Sequence, residues 1–85
     1  MKERKDESEQ SIQRRKIKQL EADGYYVIKL VRTNKNGIPD LIAIPRNSDV
    51  LFVEVKKPGK KRTKLQEFRG EELSLHGVDV QVYYG

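Results

Sequence analysis

The second half of the chain constrains the fold most, because residues 50–84 have the pattern strand, helix, strand. Residues 50–57 are rich in branched and aromatic side chains, and residues 78–84 alternate apolar and polar positions, as strands do. Between them, Thr63 and Gln66 have the spacing of a helix capping box. Strands joined through a helix form a right-handed crossover, so the last strand is predicted to lie parallel to the strand at 50–57.

The first half adds a helix and two more strands. Apolar residues recur at about 100° per residue between residues 8 and 23, which predicts a helix that Gly24 ends. Strands are predicted at 25–32 and 40–44, and the second turns through a short connection into the strand at 50–57. The predicted fold class is α/β, a small mixed β-sheet in the order α-β-β-β-α-β flanked by two helices.

A chain of 85 residues makes one domain, residues 1–85, of which the polar residues 1–7 are expected to fray. The absence of cysteine excludes disulfides and thiolate metal sites. The single histidine, His76, excludes a histidine-rich zinc site and is expected only to interact with the dipole of its helix. Any bound metal is therefore expected to have oxygen ligands, as Mg²⁺ and Mn²⁺ prefer.

The formal net charge of +5 suits a polyanionic partner such as nucleic acid, although a basic but inert surface is an alternative. The chain has no apolar run near the ~20 residues that a membrane span needs. Its start has no hydrophobic stretch of the kind found in signal peptides. Cytoplasm is therefore the expected compartment, with no membrane partner and no organic cofactor.

The strand at 50–57 carries two opposite charges, Glu54 and Lys56, inside an apolar run. Residues two apart in a strand point to the same face, so these side chains lie next to each other, while Val53 and Val55 face the other way. Charges on a half-buried strand are costly to desolvate. They form either a local ion pair at a sheet edge or part of a chemical site.

Two further carboxylates are candidates to join Glu54. Asp40 begins the other arm of the hairpin, although it is also a plausible turn residue after Pro39. In the first helix, about 100° per residue places Glu9 on the apolar face, whereas Glu7 points to solvent. Glu9 also suits the helix dipole as an ordinary acid at a helix start.

Carboxylates that converge repel each other unless a divalent cation neutralises them, and Mg²⁺ binds carboxylates together with substrate phosphate oxygens. A neighbouring Lys56 would then stabilise charge on a scissile phosphate or hold the attacking water in its deprotonated form. This hypothesis requires Asp40 and Glu54 to lie on the same face of the hairpin, which a register slip of one residue would prevent.

A run of basic residues follows the strand and is either a solvated loop or a surface that contacts DNA phosphates. The chain has no zinc finger, helix-turn-helix or homeodomain, so selectivity should depend on the shape of the nucleic acid. The candidate phosphate contacts are Lys57, Lys60, Lys61, Arg62 and Lys64, and on the first helix Arg14, Arg15, Lys16 and Lys18.

Four segments occur in the order found in one nuclease family: Glu9 with Ile12, GIPD at 37–40, FVEVKKPG at 52–59, and Gln66. Over nearly its whole length the chain resembles the VRR-NUC (virus-type replication and repair nuclease) family of the PD-(D/E)xK superfamily. The resemblance implies a restriction-endonuclease-like core. It departs in one place, since members often have serine where this chain has Thr63. The implied metal ligands are Asp40, Glu54, Glu9 and the Val55 carbonyl, with Lys56 catalytic and Gln66 in a supporting role.

Small members of this family resemble homodimeric endonucleases that cut four-way (Holliday) junctions in DNA repair and recombination, many in phages or their bacterial hosts. The resemblance therefore implies an endodeoxyribonuclease that uses one or two Mg²⁺ or Mn²⁺ ions. The low hydrophobic content of 35% independently favours a dimer. Part of the contact is expected from Tyr25, Tyr26, Tyr83 and Tyr84. The alternatives are a nuclease of the same chemistry that acts on flaps, nicks or plain duplex, and a non-catalytic basic module that binds nucleic acid.

Overall fold

The computed structural model of the chain describes residues 7–46 and 49–85. Its elements follow the order α-β-β-β-α-β, which confirms the predicted fold class. They are α1 (Glu9–Ala22), β1 (Tyr26–Lys29), β2 (Leu41–Ile44), β3 (Leu51–Lys56), α2 (Lys64–Leu75) and β4 (Asp79–Tyr84). The predicted fraying of the start falls on residues 1–6, which lie outside the described residues, and on Glu7, which is described below.

The four strands form one sheet in the order β1-β2-β3-β4. The first three are antiparallel neighbours, and β4 lies parallel to β3, which confirms the predicted pairing of the last strand. Strand β1 is shorter than the predicted strand at 25–32. Its pairing continues only to Leu30, whose N–H donates to the carbonyl of Asp40 at 2.8 Å, and residues 31–36 then form an exposed loop.

Helix α1 covers one face of the sheet and makes the hydrophobic core. The buried core residues are Ile12 and Leu20 of α1 with Leu41, Ala43, Val53 and Val55 of the central strands. Because strand residues alternate between faces, Val53 and Val55 point towards α1 while Glu54 points to the opposite face. The predicted alternation in β3 is therefore confirmed.

The basic residue Lys16 belongs to this core and not to the surface, which corrects its assignment as a phosphate contact. Its side chain is buried between α1 and the sheet, where Nζ lies 4.4 Å from the centre of the Tyr83 ring. Nζ also donates a hydrogen bond to Gln19 Oε1 at 3.1 Å. Its hydrocarbon stem can pack with apolar residues while the ammonium keeps polar and aromatic partners.

The start of α1 also differs from the prediction that Glu7 points to solvent. Glu7 is half-buried, accepts a hydrogen bond from Ser11 Oγ at 2.8 Å and forms an ion pair with Arg15 at 2.6 Å. The reason is the cap: Ser8 accepts the N–H of Ser11, which turns the chain so that Glu7 lies alongside the first turns of the helix. Arg15 is therefore engaged with Glu7 and with the Tyr83 hydroxyl, 3.5 Å away.

Helix α2 begins with the predicted capping box, in which Thr63 and Gln66 bond reciprocally. At its other end, His76 Nδ1 lies 2.8 Å from the Glu72 carbonyl, consistent with the expected position at the helix terminus. Helix α2 contacts β4, but none of its residues is fully buried within the described chain. Phe68 is 51% exposed and Leu75 86% exposed.

The outer face of β1 is similarly uncovered, since Tyr26 is 64% exposed and Ile28 is also exposed. These side chains lie on the sheet face opposite α1, because Val27 between them packs against the core. The described residues therefore leave apolar surface on both β1 and α2. None of the helices in the described chain is both long and apolar enough to cross a membrane.

Candidate active site

The β2–β3 hairpin brings Asp40 and Glu54 together. Leu41 is paired with Val53 and Ile42 with Phe52, and continuing this register by one residue places Asp40 opposite Glu54. Both side chains then lie on the sheet face opposite α1, as the metal-site hypothesis requires. Asp40 is fixed further because its Oδ2 accepts the N–H of Val55 at 2.8 Å.

Glu54 is the most unusual side chain of the site, because it is only 1% exposed. Its Oε1 lies 3.4 Å from Arg62 Nε, but neither carboxylate oxygen accepts a hydrogen bond from any residue of the described chain. Burial raises the pKa of Glu54; Arg62 and Lys56 oppose this rise, and the charge of Asp40 adds to it. A buried acceptor without a donor costs about 1–3 kcal/mol, so these oxygens favour a further cationic partner.

Asp40 interacts electrostatically with Glu54 and, like Glu54, with Lys56. Burial raises the pKa of Asp40, the hydrogen bond from the Val55 N–H lowers it, and the charge of Glu9 raises it again. The Lys56 ammonium lowers the pKa of Asp40 as it does that of Glu54. Lys56 is therefore close enough to act on both carboxylates, and it lies two residues from Glu54 on the same face of β3.

Glu9 lies in the first turn of α1, half-buried, and its charge acts on Asp40. The structure does not bring it into a ready-made cluster, since residues 7–46 and 49–85 contain no group of three acidic or histidine side chains gathered to hold an ion. The acids that share the hairpin are Asp40 and Glu54. Metal ligation by Glu9 and by the Val55 carbonyl stays a prediction.

The donor set fits a hard divalent cation. The two oxygens of Glu54 lack hydrogen-bond donors within the described chain, and Asp40 supplies carboxylate oxygens on the opposite strand. All of these donors are oxygens, which Mg²⁺ and Mn²⁺ prefer, and the chain contains no thiolate that would favour a softer metal.

Gln66 is placed beside the site by the cap of α2. Its Oε1 accepts the N–H of Thr63 at 2.9 Å, and its backbone carbonyl accepts a hydrogen bond from Arg62 at 3.1 Å. Gln66 therefore organises the segment that carries Arg62, and a direct catalytic role for it stays a prediction.

The basic residues divide into two groups. Arg15 and Arg62 are each paired with an acid, Glu7 and Glu54, so their guanidinium groups are engaged within the described chain. The other candidate phosphate contacts, apart from the buried Lys16, lie at the surface. The exposed residues are Arg14, Lys18, Lys60, Lys61 and Lys64. Lys57 is half-buried.

The loop before Asp40 is held against α2. Gly37 has φ of +80°, and a Cβ at this position would lie 2.7 Å from Leu65 Cγ. Arg69 Nε donates to the carbonyl of Asn36 at 2.8 Å, which fastens the same turn. Helix α2 therefore helps to set where Asp40 enters β2.

Replacing Gly37 by alanine should lower the free energy of unfolding by about 2–3 kcal/mol, because it adds left-handed backbone strain and displaces Leu65. The matched control is Gly59→Ala, where φ is +85° and a Cβ would have no neighbour within 4 Å. The control should cost about 1–2 kcal/mol from strain alone. Urea denaturation of both variants measures the difference, and equal losses would contradict the docking of this loop on Leu65.

Comparisons with known proteins agree with this fold. The VRR-NUC domain model matches residues 1–85, the whole chain. A solved structure described as a VRR_NUC domain matches with a TM-score of 0.80 and 31% identity, covering 91% of this chain and 84% of that one.

A relative in Acyrthosiphon pisum secondary endosymbiont phage 1, named "Putative nuclease p44", is 37% identical over 59 residues. The aligned region is 68% of this chain and 62% of the phage protein, so it spans less than two thirds of that relative. The family and the name of the relative both support a nuclease. On the match to its whole length, the chain belongs to the VRR-NUC family.

Proposed function

We propose that this protein is a metal-dependent endonuclease that hydrolyses phosphodiester bonds in DNA. The observation that carries the proposal is the buried Glu54 carboxylate, whose oxygens lack donors within the described chain, opposite Asp40 and beside Lys56. Structural carboxylates are normally hydrogen-bonded when buried, so this arrangement favours a site that binds a cation and an anionic substrate.

Asp40 and Glu54 would hold Mg²⁺ or Mn²⁺, with Glu9 and the Val55 carbonyl as further proposed ligands. When bound, such an ion polarises the phosphate and lowers the pKa of a coordinated water. Lys56 is proposed to donate hydrogen bonds to the non-bridging phosphate oxygens, where negative charge builds up as water attacks phosphorus. The P–O bond to the leaving oxygen then breaks, and that oxygen takes up a proton.

The exposed lysines after β3 are proposed to contact the DNA backbone. Lys60, Lys61 and Lys64 are exposed and follow directly from the strand that carries Lys56. Such contacts position a duplex without reading its sequence, and a set of about six phosphate contacts would lose about a thousandfold in affinity between roughly 50 and 200 mM salt.

We also propose that the protein acts as a homodimer on four-way junctions. The exposed apolar side chains on β1 and on α2 support self-association, because apolar surface is costly to leave in water. Of the four tyrosines suggested for the contact, Tyr25 and Tyr83 pack against the core, which leaves Tyr26 and Tyr84 exposed. A two-fold dimer supplies the two symmetric cuts that junction resolution needs.

The experiment is a cleavage panel with a four-way junction, a flap and a linear duplex of matched sequence, each with Mg²⁺, Mn²⁺ or EDTA at fixed salt. We expect paired symmetric cuts in the junction with either metal and none with EDTA. Faster cleavage of the flap or the duplex would keep the chemistry and replace the proposed target. If every substrate stays intact with both metals, the non-catalytic module is the better description.

A further inference from the structure

Arg62 differs from the basic residues around it. It lies in a run of lysines whose members Lys60 and Lys61 are exposed, yet its own side chain is directed inward. Its Nε lies 3.4 Å from Glu54 Oε1, and one terminal nitrogen donates to the carbonyl of Gln66 at 3.1 Å. Among the described residues, Arg62 is thus the cation that forms an ion pair with the buried Glu54 carboxylate.

A glycine in α2 makes room for this guanidinium. Gly70 lies inside the helix, where glycine costs about 1 kcal/mol relative to alanine. Its φ is not positive, so the backbone does not require glycine. A Cβ at Gly70 would lie 2.6 Å from a terminal nitrogen of Arg62, which gives the missing side chain a physical reason.

The surroundings of Arg62 are unsuited to DNA. The groove beside it, between α2 and β4, is lined in part by the acidic residues Glu67, Glu71 and Asp79. A phosphate that approached Arg62 along this groove would be repelled by those carboxylates. The position of Arg62 therefore suits neutralisation of the protein's own acids better than contact with a nucleic acid.

The pair between Arg62 and Glu54 neutralises charge without completing hydrogen bonds. Arg62 Nε is buried and has no hydrogen-bond acceptor among the described residues, and both oxygens of Glu54 have no donor there. Buried ion pairs of poor geometry recover little of their desolvation cost, whereas bidentate pairs recover much more. Glu54 is therefore left able to exchange this partner for another cation.

We infer that Arg62 is a positioning residue that competes with the divalent metal for Glu54. It neutralises Glu54 in the metal-free protein, and its positive charge lowers the affinity of the site for the ion. The inference deepens the proposed function and rests on it, because it takes Glu54 as a metal ligand. Gly70 then matters because it allows the guanidinium to lie where it competes.

The test measures Mn²⁺ affinity by calorimetry and melting temperature with and without Mn²⁺, using the full chain at low salt. Arg62→Met should bind Mn²⁺ about tenfold more tightly than the parent, because a neighbouring positive charge is gone. Without metal, the variant should melt at a lower temperature than the parent, because Glu54 loses its counter-ion. With saturating Mn²⁺, the variant should melt at a higher temperature than the parent. The control Arg32→Met removes an exposed arginine from the loop after β1 and should leave Mn²⁺ affinity unchanged.

Gly70→Ala supplies a second test that keeps the charge of Arg62. Its added methyl group should displace the guanidinium and tighten Mn²⁺ binding several-fold in the parent, but have no such effect in an Arg62→Met background. Alanine favours the helix, so the effect of Gly70→Ala on the Mn²⁺ affinity of the parent can be measured even if Arg62→Met does not fold. If Gly70→Ala left the Mn²⁺ affinity of the parent unchanged, Gly70 would be purely structural, against the inference.

Three results would overturn the inference, and they are distinguishable. If the parent binds Mn²⁺ and Arg62→Met binds it equally or more weakly, Arg62 does not compete, while the proposed function stands. If Arg62→Met instead weakens DNA binding in EDTA with Mn²⁺ affinity unchanged, Arg62 is a phosphate contact. If neither the parent nor any variant binds Mn²⁺, the proposed function fails and the inference fails with it.

Discussion

Replacing Lys56 by methionine should lower the rate of the cleavage step by about 10²–10³ while Mn²⁺ binding is retained. Lys56 ends β3 on the same face as Glu54, and its charge acts on both Asp40 and Glu54. Methionine keeps a long side chain opposite Tyr84 in the parallel pairing with β4, so the strand should be preserved. Single-turnover cleavage at saturating protein and metal measures the chemical step.

The control for this variant is Lys35→Met, which removes an exposed lysine that we assign to neither the metal nor the DNA surface. It carries the same change in net charge, so it should cleave at nearly the parental rate. Equal losses in both variants would mean that the effect comes from the overall charge. Parental cleavage by Lys56→Met would refute the catalytic assignment of Lys56.

Replacing Asp40 by asparagine should abolish metal-dependent cleavage and remove most of the stabilisation of the fold by metal. Burial raises the pKa of Asp40 above its value in the unfolded chain, so between these two pKa values the folded state binds more protons. The free energy of unfolding of the metal-free parent therefore falls as pH rises through this window. Glu54, whose pKa burial also raises, contributes with the same sign.

Asparagine stays uncharged and can still accept the Val55 N–H, so Asp40→Asn should be more stable than the parent at neutral pH without metal, with a shallower pH dependence. Mn²⁺ at about 100 times its dissociation constant should stabilise the parent by about 2.7 kcal/mol and the variant by much less. Urea denaturation between about pH 4 and pH 8, with and without Mn²⁺, measures both effects. A variant with the parental pH slope and the parental response to Mn²⁺ would exclude Asp40 from the site.

The elements of the fold were predictable because each has a local signal. The capping box of α2 and the alternation in β4 depend on residues close in sequence, and both appear as predicted. Lys16 was misassigned because its charge suggested surface, although about 100° per residue places it on the same side of α1 as Ile12 and Leu20. Position on the helix was the better guide, since a long side chain can bury its stem.

A periodic pattern of apolar residues does not predict what that side of a helix packs against, as α2 shows. The pattern of Leu65, Phe68 and Leu75 identifies an apolar stripe, but whether this stripe packs on its own sheet depends on the angle at which the helix crosses it. That angle is set by long-range packing. Phe68 and Leu75 are exposed in the single chain, and the proposed homodimer would give them a partner.

The residues of the candidate site could be proposed from the sequence, but the register of the hairpin and the counter-ion of Glu54 could not. A hairpin with a polar connection can pair in more than one register, and only the observed pairing of Leu41 with Val53 places Asp40 opposite Glu54. Arg62 resembled the lysines around it in sequence. The signal that distinguished it was Gly70, a glycine inside a helix without a turn to explain it.

The strand pairing has a consequence for how such a protein diversifies. Asp40 and Glu54 lie at the end of the β2–β3 hairpin remote from its connection, and Lys56 follows on the same strand. The proposed reactive groups are thus inherited together as one short stretch of coding sequence, which ends before the lysines at 57–64 and the apolar stripe of α2. On this proposal, descendants can exchange the parts assigned to the target and the partner chain and still pass on the proposed chemistry.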